Sequence, residues 1–190
     1  MPRPLDHAKR EELLVGVVKY IDEFGLADVS LRPLAAALGT SSRMLVHYFG
    51  TKEELLVQAL YTQHPRFGAV FDGVRGKGEF DDALRGLWVS MSQGPDVLST
   101  RILLQAMGVA AGRPGPFAAF VEDAIDSLLQ SLARALQRCG MDDADARIEA
   151  TVASAAFRGL LLDRMVTGDS LRTDRAAEVM IGRMVSAVPR

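Results

Sequence analysis

The chain is poor in cysteine: among 190 residues only Cys139 is present. No disulfide can form within it, and none is needed, because a chain this long buries roughly two-thirds of the surface it would expose unfolded. Such cysteine usage fits a reducing compartment. No run of 18 or more uncharged apolar residues occurs, which argues against a membrane-spanning helix. The opening Met1-Pro2-Arg3-Pro4-Leu5-Asp6-His7 lacks the apolar core of a signal peptide and runs into Lys9-Arg10-Glu11-Glu12, so a cytoplasmic location is expected. Charge of one sign is also lacking: 22 basic and 24 acidic residues leave a net charge of −2. That balance excludes strong nonspecific nucleic-acid binding by bulk charge, but not a site built from a few placed cations. A hydrophobic content of 48% excludes disorder.

Strand patterns are missing as well, and helical periodicity takes their place. A first helix is expected over about Asp6–Phe24, with Leu13, Leu14, Val17, Ile21 and Phe24 on one face and Gly25 ending it. Ser30 can cap a short helix through Leu38 that tolerates Pro33 in its first turn, and Ser41 can cap another running to about Tyr48. Thr51 and Glu54 have the spacing of a capping box, opening a fourth helix that Pro65 should kink or break. Glycines 68, 73, 76 and 78 then suggest a flexible turn. Five more helices are expected over about Phe80–Ser92, Pro95–Ala111, Pro116–Cys139, Asp143–Thr167 and Thr173–Val188, with Pro95 and Pro116 at first-turn positions. The expected fold is all-α with about nine helices, without internal repeats.

Catalytic patterns are wanting. Gly73-Val74-Arg75-Gly76-Lys77-Gly78 lacks the spacing and preceding strand of a phosphate loop, and His7, His47 and His64 belong to no metal-binding pair. Cys139 closes an amphipathic helix alone and reads as a structural thiol. No cofactor, metal or catalytic residue is expected. The informative stretch is Leu31–Tyr48, two short helices joined by Gly39-Thr40-Ser41 in the length pattern of a helix-turn-helix. Ala35-Ala36-Ala37 permit close approach, while Leu34, Leu38 and Leu45 can fill the seam. The second helix offers Ser42, Arg43, Met44 and His47 outward. Arginine can pair bidentately with guanine, serine with base or phosphate, and methionine with a thymine methyl. Tyr48 and Lys52 could hold phosphates, as could the backbone N–H groups near Ser30 and Thr51. On spacing alone, ordinary helical packing explains the segment equally well. Lys52 opposes the dipole of the helix it opens, which mildly favours an anion nearby.

Residues Lys9–Leu60 resemble the N-terminal DNA-binding domain of the tetracycline-repressor (TetR) family of bacterial regulators. The resemblance rests on Leu14, Ile21, Glu23 and Gly25, then Ser30-Leu31-Arg32, Leu34-Ala35, Gly39 and Ser41. It continues through Leu45, Tyr48-Phe49 and Lys52-Glu53-Glu54-Leu55-Leu56, without a gap. Three positions depart from it: Arg43 stands where the family usually has a small residue, Val46 where it has tyrosine, and Pro33 where it is often polar. The first two should alter which operator is read. The implied DNA-binding set is Arg32, Ser41, Ser42, Arg43, Met44, His47, Tyr48 and Lys52. The implied division is a DNA-binding domain over residues 1–52 and a helical effector-binding and dimerisation domain over 53–190.

The resemblance further implies a homodimer built through the last two helices. Ile148, Val152, Ala155, Gly159, Leu162 and Val166 recur at steps of three and four, and Ala177, Met180, Ile181, Met184 and Val188 form a second stripe. Interface candidates are Val152, Ala155, Gly159, Leu162, Met180 and Met184. Candidates for lining a small-molecule effector pocket are Phe71, Trp88, Met91, Met107, Phe120 and Phe157, with Arg101 and Gln105 as polar groups that could orient a ligand or be solvated. The implied function is a ligand-responsive regulator, most simply a repressor, that binds a palindromic operator in duplex DNA. A small helical enzyme or a protein-interaction module would show no salt-dependent affinity for DNA. Residues 1–52 carry a net charge of +1 and the remainder −3; placement matters more, with Arg32, Arg43 and Lys52 converging on the presumed DNA face.

Overall fold

The computed structural model describes residues 6–64, 67–112 and 115–189. Among these, ten α-helices and no strands are present. The helices are α1 (His7–Phe24), α2 (Leu31–Ala37), α3 (Ser42–Phe49), α4 (Lys52–Thr62), α5 (Gly68–Phe71), α6 (Lys77–Gln93), α7 (Val97–Gly112), α8 (Phe117–Arg138), α9 (Asp143–Thr167) and α10 (Ser170–Ala187). The all-α expectation holds, and the tenth helix is α5. Its residues were expected to form a flexible turn because Gly68 opens it, yet Phe71 is fully buried and holds the turn in place. Gly78 likewise falls inside α6. The expected break at Pro65 lies outside the described residues. Pro95 and Pro116 precede α7 and α8 and are not their first residues.

The chain forms two compact units, Met1–His64 with Arg101–Glu122 and Pro65–Thr100 with Asp123–Arg190. These differ in extent from the functional division at residue 52 expected from the sequence.

In the first unit α1 packs on α2 and α4, and α3 packs on both α2 and α4. Leu14, Val17, Ile21, Leu34, Leu45, Phe49, Leu56 and Leu60 are buried there. Gly16 permits the approach of α2's end: a Cβ at this position would press on Leu38 Cδ2. Asp6 caps α1 through Lys9 N (3.1 Å). Thr51 and Glu54 form the reciprocal capping box on α4, with Glu54 N donating to Thr51 Oγ1 (3.1 Å) and Thr51 N donating to Glu54 Oε2 (2.7 Å). These bonds hold the Glu54 carboxyl below its ordinary pKa. Ser30 departs from expectation: it occupies the N-cap of α2 but its hydroxyl makes no capping bond.

Arg101, although exposed, and Gln105, half-buried, both have partners within the fold. Arg101 Nη1 donates to Asp22 Oδ1 (2.7 Å), and Gln105 Oε1 accepts from Leu26 N (2.8 Å), so α7 is fastened to the end of α1 and the turn after it.

In the second unit α6 packs on α9 and α10, which also pack on each other. Asp142 caps α9 by accepting from Ala144 N and Asp145 N, both at 3.0 Å, and left-handed Gly168 ends the helix. Those bounds match the sequence expectation. α10 begins three residues earlier than expected because Asp169 supplies the cap, accepting from Arg172 N (3.1 Å). Trp88 Nε1 and Arg164 Nη1 both donate to Asp174 Oδ1, at 2.9 and 2.8 Å, joining α6, α9 and α10 in one polar knot.

Candidate nucleic-acid interface

The turn joining α2 to α3 depends on Gly39, whose φ of +62° lies in the left-handed region that side-chain-bearing residues adopt at a cost. Gly39 N donates to Ala36 O (3.1 Å) and Thr40 N to Ala35 O (2.9 Å), closing the end of α2. Ser41 then starts α3 by accepting from Met44 N at 3.2 Å, as its position in the sequence suggested.

Helical geometry sorts the eight residues of α3. Leu45 and Phe49 are buried against the neighbouring helices. Arg43 and His47, one turn apart, fall on the opposite side with Met44 and Val46, and all four are exposed. Arg43 makes no hydrogen bond or ion pair within the described protein, and neither does Arg32, which is also exposed. Ser42 and Tyr48 are half-buried, and the Tyr48 ring lies 5.8 Å from that of His47 and 6.0 Å from that of Phe49. Uncommitted guanidinium donors on such a face can pair with acceptor pairs on base edges or phosphate oxygens.

Lys52 is placed differently from expectation. Its ammonium donates to the Val29 carbonyl at 3.2 Å and lies 3.8 Å from the Glu53 carboxylate. The cation at the start of α4 therefore has partners within the fold, and its position no longer needs an external anion.

The sequence reading missed what anchors the far end of α3. The Arg10 guanidinium lies 5.4 Å from the centroid of the Phe49 ring and bonds Gln58 Oε1, while Gln58 Nε2 donates to Phe49 O at 3.5 Å. Arg10 thereby ties α1 and α4 to the last turn of α3. A charged residue beside Lys9, Glu11 and Glu12 gave no local sign of this partner.

Residues 13–59 match the family model described as bacterial regulatory proteins, tetR family. Over this segment the chain is similar to the N-terminal module of the TetR family. A relative similar to it is the HTH-type transcriptional regulator BetI of Stenotrophomonas maltophilia, 38% identical over 61 residues. That match covers 32% of this chain and 31% of BetI, so the likeness spans about a third of the curated relative's length. Similar solved structures extend the likeness of fold to nearly the whole chain. A transcriptional regulator from Rhodococcus sp. Rha1 superposes with a TM-score of 0.77 at 21% identity, covering 93% of this chain and 96% of that one. SmeT, the repressor of the Stenotrophomonas maltophilia multidrug efflux pump SmeDEF, gives 0.72 at 19% identity, covering 95% and 90%.

Outside the helix-turn-helix, the candidate interface residues separate into two groups. Val152, Ala155, Gly159 and Leu162 of α9 are exposed, as are Ile148 and Val166, so the α9 stripe faces away from the core of its own unit. The α10 stripe does the reverse: Ala177, Ile181, Met184 and Val188 are buried and Met180 is half-buried. The exposed large apolar residues of α10 are Leu171 and Val179. An open groove of about 640 Å³ runs beside Val152, Val179, Met180 and Met184, edged by Glu149, Arg175 and Arg183.

The six effector candidates divide between the units. Met107 and Phe120 belong to the first, where Phe120 packs edge-on against Tyr61 (5.4 Å) and His64 (5.8 Å). Phe71, Trp88, Met91 and Phe157 belong to the second and are buried, with Trp88 6.1 Å from Phe157 and its indole N–H committed to Asp174. Trp88 lines an open groove of about 360 Å³ with Arg85, Val89, Gln93, Asp174, Glu178 and Ile181. Among the described residues no group of histidine, cysteine and carboxylate side chains could hold a metal, and no helix is long and apolar enough to cross a membrane. Cys139 is half-buried, and burial raises its thiol pKa.

Proposed function

We propose that the protein is a DNA-binding transcriptional repressor that reads a palindromic operator as a homodimer in the cytoplasm and is released by a small, largely apolar effector. The observation that carries the DNA reading is the outward side of α3. Arg43 and His47 are exposed one turn apart, and Arg43 has no internal partner, while the opposite side is fixed by Leu45, Phe49 and the Arg10–Gln58 contacts. A recognition helix needs this division, because base contacts specify only when the helix presenting them is held still. Arg32, Ser41, Ser42, Met44, Tyr48 and Lys52 complete the proposed contact set, with Lys52 having its remaining N–H donors for phosphate.

Dimerisation is supported by the exposed α9 stripe, since a row of apolar side chains on an otherwise finished helix marks a surface that another subunit covers. Two-fold pairing would present two copies of α3 to successive major grooves. An effector changes DNA affinity only by binding one arrangement of the two recognition helices better than another. The open groove that Trp88 lines with Arg85, Val89, Asp174 and Ile181 supports an effector site in the second unit, with Phe71, Met91 and Phe157 proposed to reach it. The regulatory reading requires no catalytic group.

Selection from random duplexes with the full-length protein tests the proposal. Enrichment of two inverted half-sites is expected, with affinity falling steeply as salt rises. Arg43→Ala should lose about 1–3 kcal/mol of operator affinity and relax preference at one base pair per half-site. Failure to enrich any two-half-site sequence would refute the DNA reading.

A further inference from the structure

Arg158 follows fully buried Phe157 on α9 and precedes fully buried Leu161 by three residues. It is half-buried, and its hydrogen bond within the described protein runs from Nη1 to the hydroxyl of Ser154, one turn back. Ser154 has no exposed surface, so the guanidinium lies at the interior edge of the helix and not out in solvent. A guanidinium carries five N–H donors in a planar fork, and a single hydroxyl leaves most of them unused.

The other arginines of α9 and the α9–α10 corner are treated differently. Arg147 lies 3.1 Å from Asp143, and Arg164 lies 2.8 Å from Asp174 with further bonds to Thr173 and Ser170. Arg172 lies 2.6 Å from Asp163 and 3.2 Å from Asp169. The chain thus provides a carboxylate for each of these and none for Arg158. Burial holds its pKa below the ordinary arginine value, with no acidic neighbour pulling the other way. Removing a charge from water without a counter-charge is costly, so an unpaired guanidinium held in this position calls for an anion from outside the chain.

We propose that Arg158 is the anion-recognising residue of an effector site in the second unit, and that its ligand is an organic carboxylate with an apolar body. The Ser154 hydroxyl fixes one edge of the fork. The remaining edge takes the two carboxylate oxygens in the bidentate geometry that arginine favours, and the body packs against apolar side chains. This inference rests on the proposed effector function and narrows it, since it assigns a charge to a ligand otherwise expected only to be apolar.

The test uses the full-length protein with octanoate and 4-phenylbutyrate, each beside its primary amide, in calorimetric titration, thermal melts and operator release. The carboxylates should bind at least about tenfold more tightly than the amides. Arg158→Gln should abolish that preference, and Arg158→Lys, which keeps the charge but loses the fork, should retain part of it. Arg158→Gln should keep the helix content of the unaltered protein in circular dichroism, so that a lost preference is not lost folding. Carboxylate binding undiminished in Arg158→Gln would overturn the assignment. Amides that bind as well as the carboxylates and release the operator would leave an effector site without an anion anchor. Binding of none of the four probes, with no release, would count against both readings.

Discussion

On the proposed homodimer, replacing Leu162 by glutamate should separate the subunits while leaving each folded. Ile148, Val152, Leu162 and Val166 keep 60%, 54%, 50% and 76% of their surface exposed in one subunit. Fully burying a valine, leucine or isoleucine side chain is worth roughly 1.5–3 kcal/mol, so covering what remains exposed returns roughly 1–2 kcal/mol from each. Two copies of the four side chains then supply on the order of 8–16 kcal/mol, against an association cost of about 4–15 kcal/mol. The margin is narrow enough for one position to matter. Leu162→Glu removes about 2–3 kcal/mol over both copies and adds the desolvation of two facing carboxylates, several kcal/mol more. The dimer dissociation constant should rise by at least about a thousandfold. Sedimentation equilibrium over a range of concentrations measures the constant, and circular dichroism checks that helix content is kept. A variant that dimerises as tightly as the original would show that α9 does not form the interface.

Three further substitutions test the packing that positions the helix-turn-helix. Gly16→Ala places a Cβ against Cδ2 at the end of the half-buried Leu38 side chain, which can rotate away, and should cost less than about 1 kcal/mol in urea unfolding; a loss of about 2 kcal/mol or more would show that Leu38 is held fast. Gln105→Leu removes the acceptor of Leu26 N and should cost about 1–2 kcal/mol with loss of hydrogen-exchange protection at that amide, and retained protection would refute the tie. Thr51→Ala should lower the melting temperature at neutral pH by breaking the capping box. Because Glu54 has a lowered pKa in the fold, its contribution is present above the ordinary carboxylate value of 4.5 and is lost as pH falls through the lower folded value. The difference between Thr51→Ala and the unaltered protein should therefore narrow in acid, and melts that stay equally far apart down to pH about 3 would contradict this.

Features whose causes are local were legible in the sequence. The Thr51–Glu54 box and the Ser41 cap needed only residues three apart, and α9 runs from a capped start to a glycine end as its sequence indicates. Features decided by tertiary contact were not. α5 was hidden because its glycine suggested a turn, whereas Phe71's burial decides the matter. The α10 periodicity gave the right face but could not say whether that face met its own core or a partner; in the structure it meets the core. Arg101, Gln105 and Arg10 find partners 79, 79 and 48 residues away, beyond any spacing rule. The candidate DNA face stood out in sequence because α3 is short and its buried positions, Leu45 and Phe49, fix the rest by helix period.

The free state of Arg43 has a consequence for how such a protein changes over generations. Arg43, Met44, Val46 and His47 are exposed, and the bonds that hold α3 come from Ser41 at one end and from Phe49, Gln58 and Arg10 at the other. Mutations at the four outward positions therefore meet little resistance from folding stability. On the proposed reading, a descendant could acquire a new operator by exchanging them one at a time, each intermediate remaining a folded protein on which selection can act.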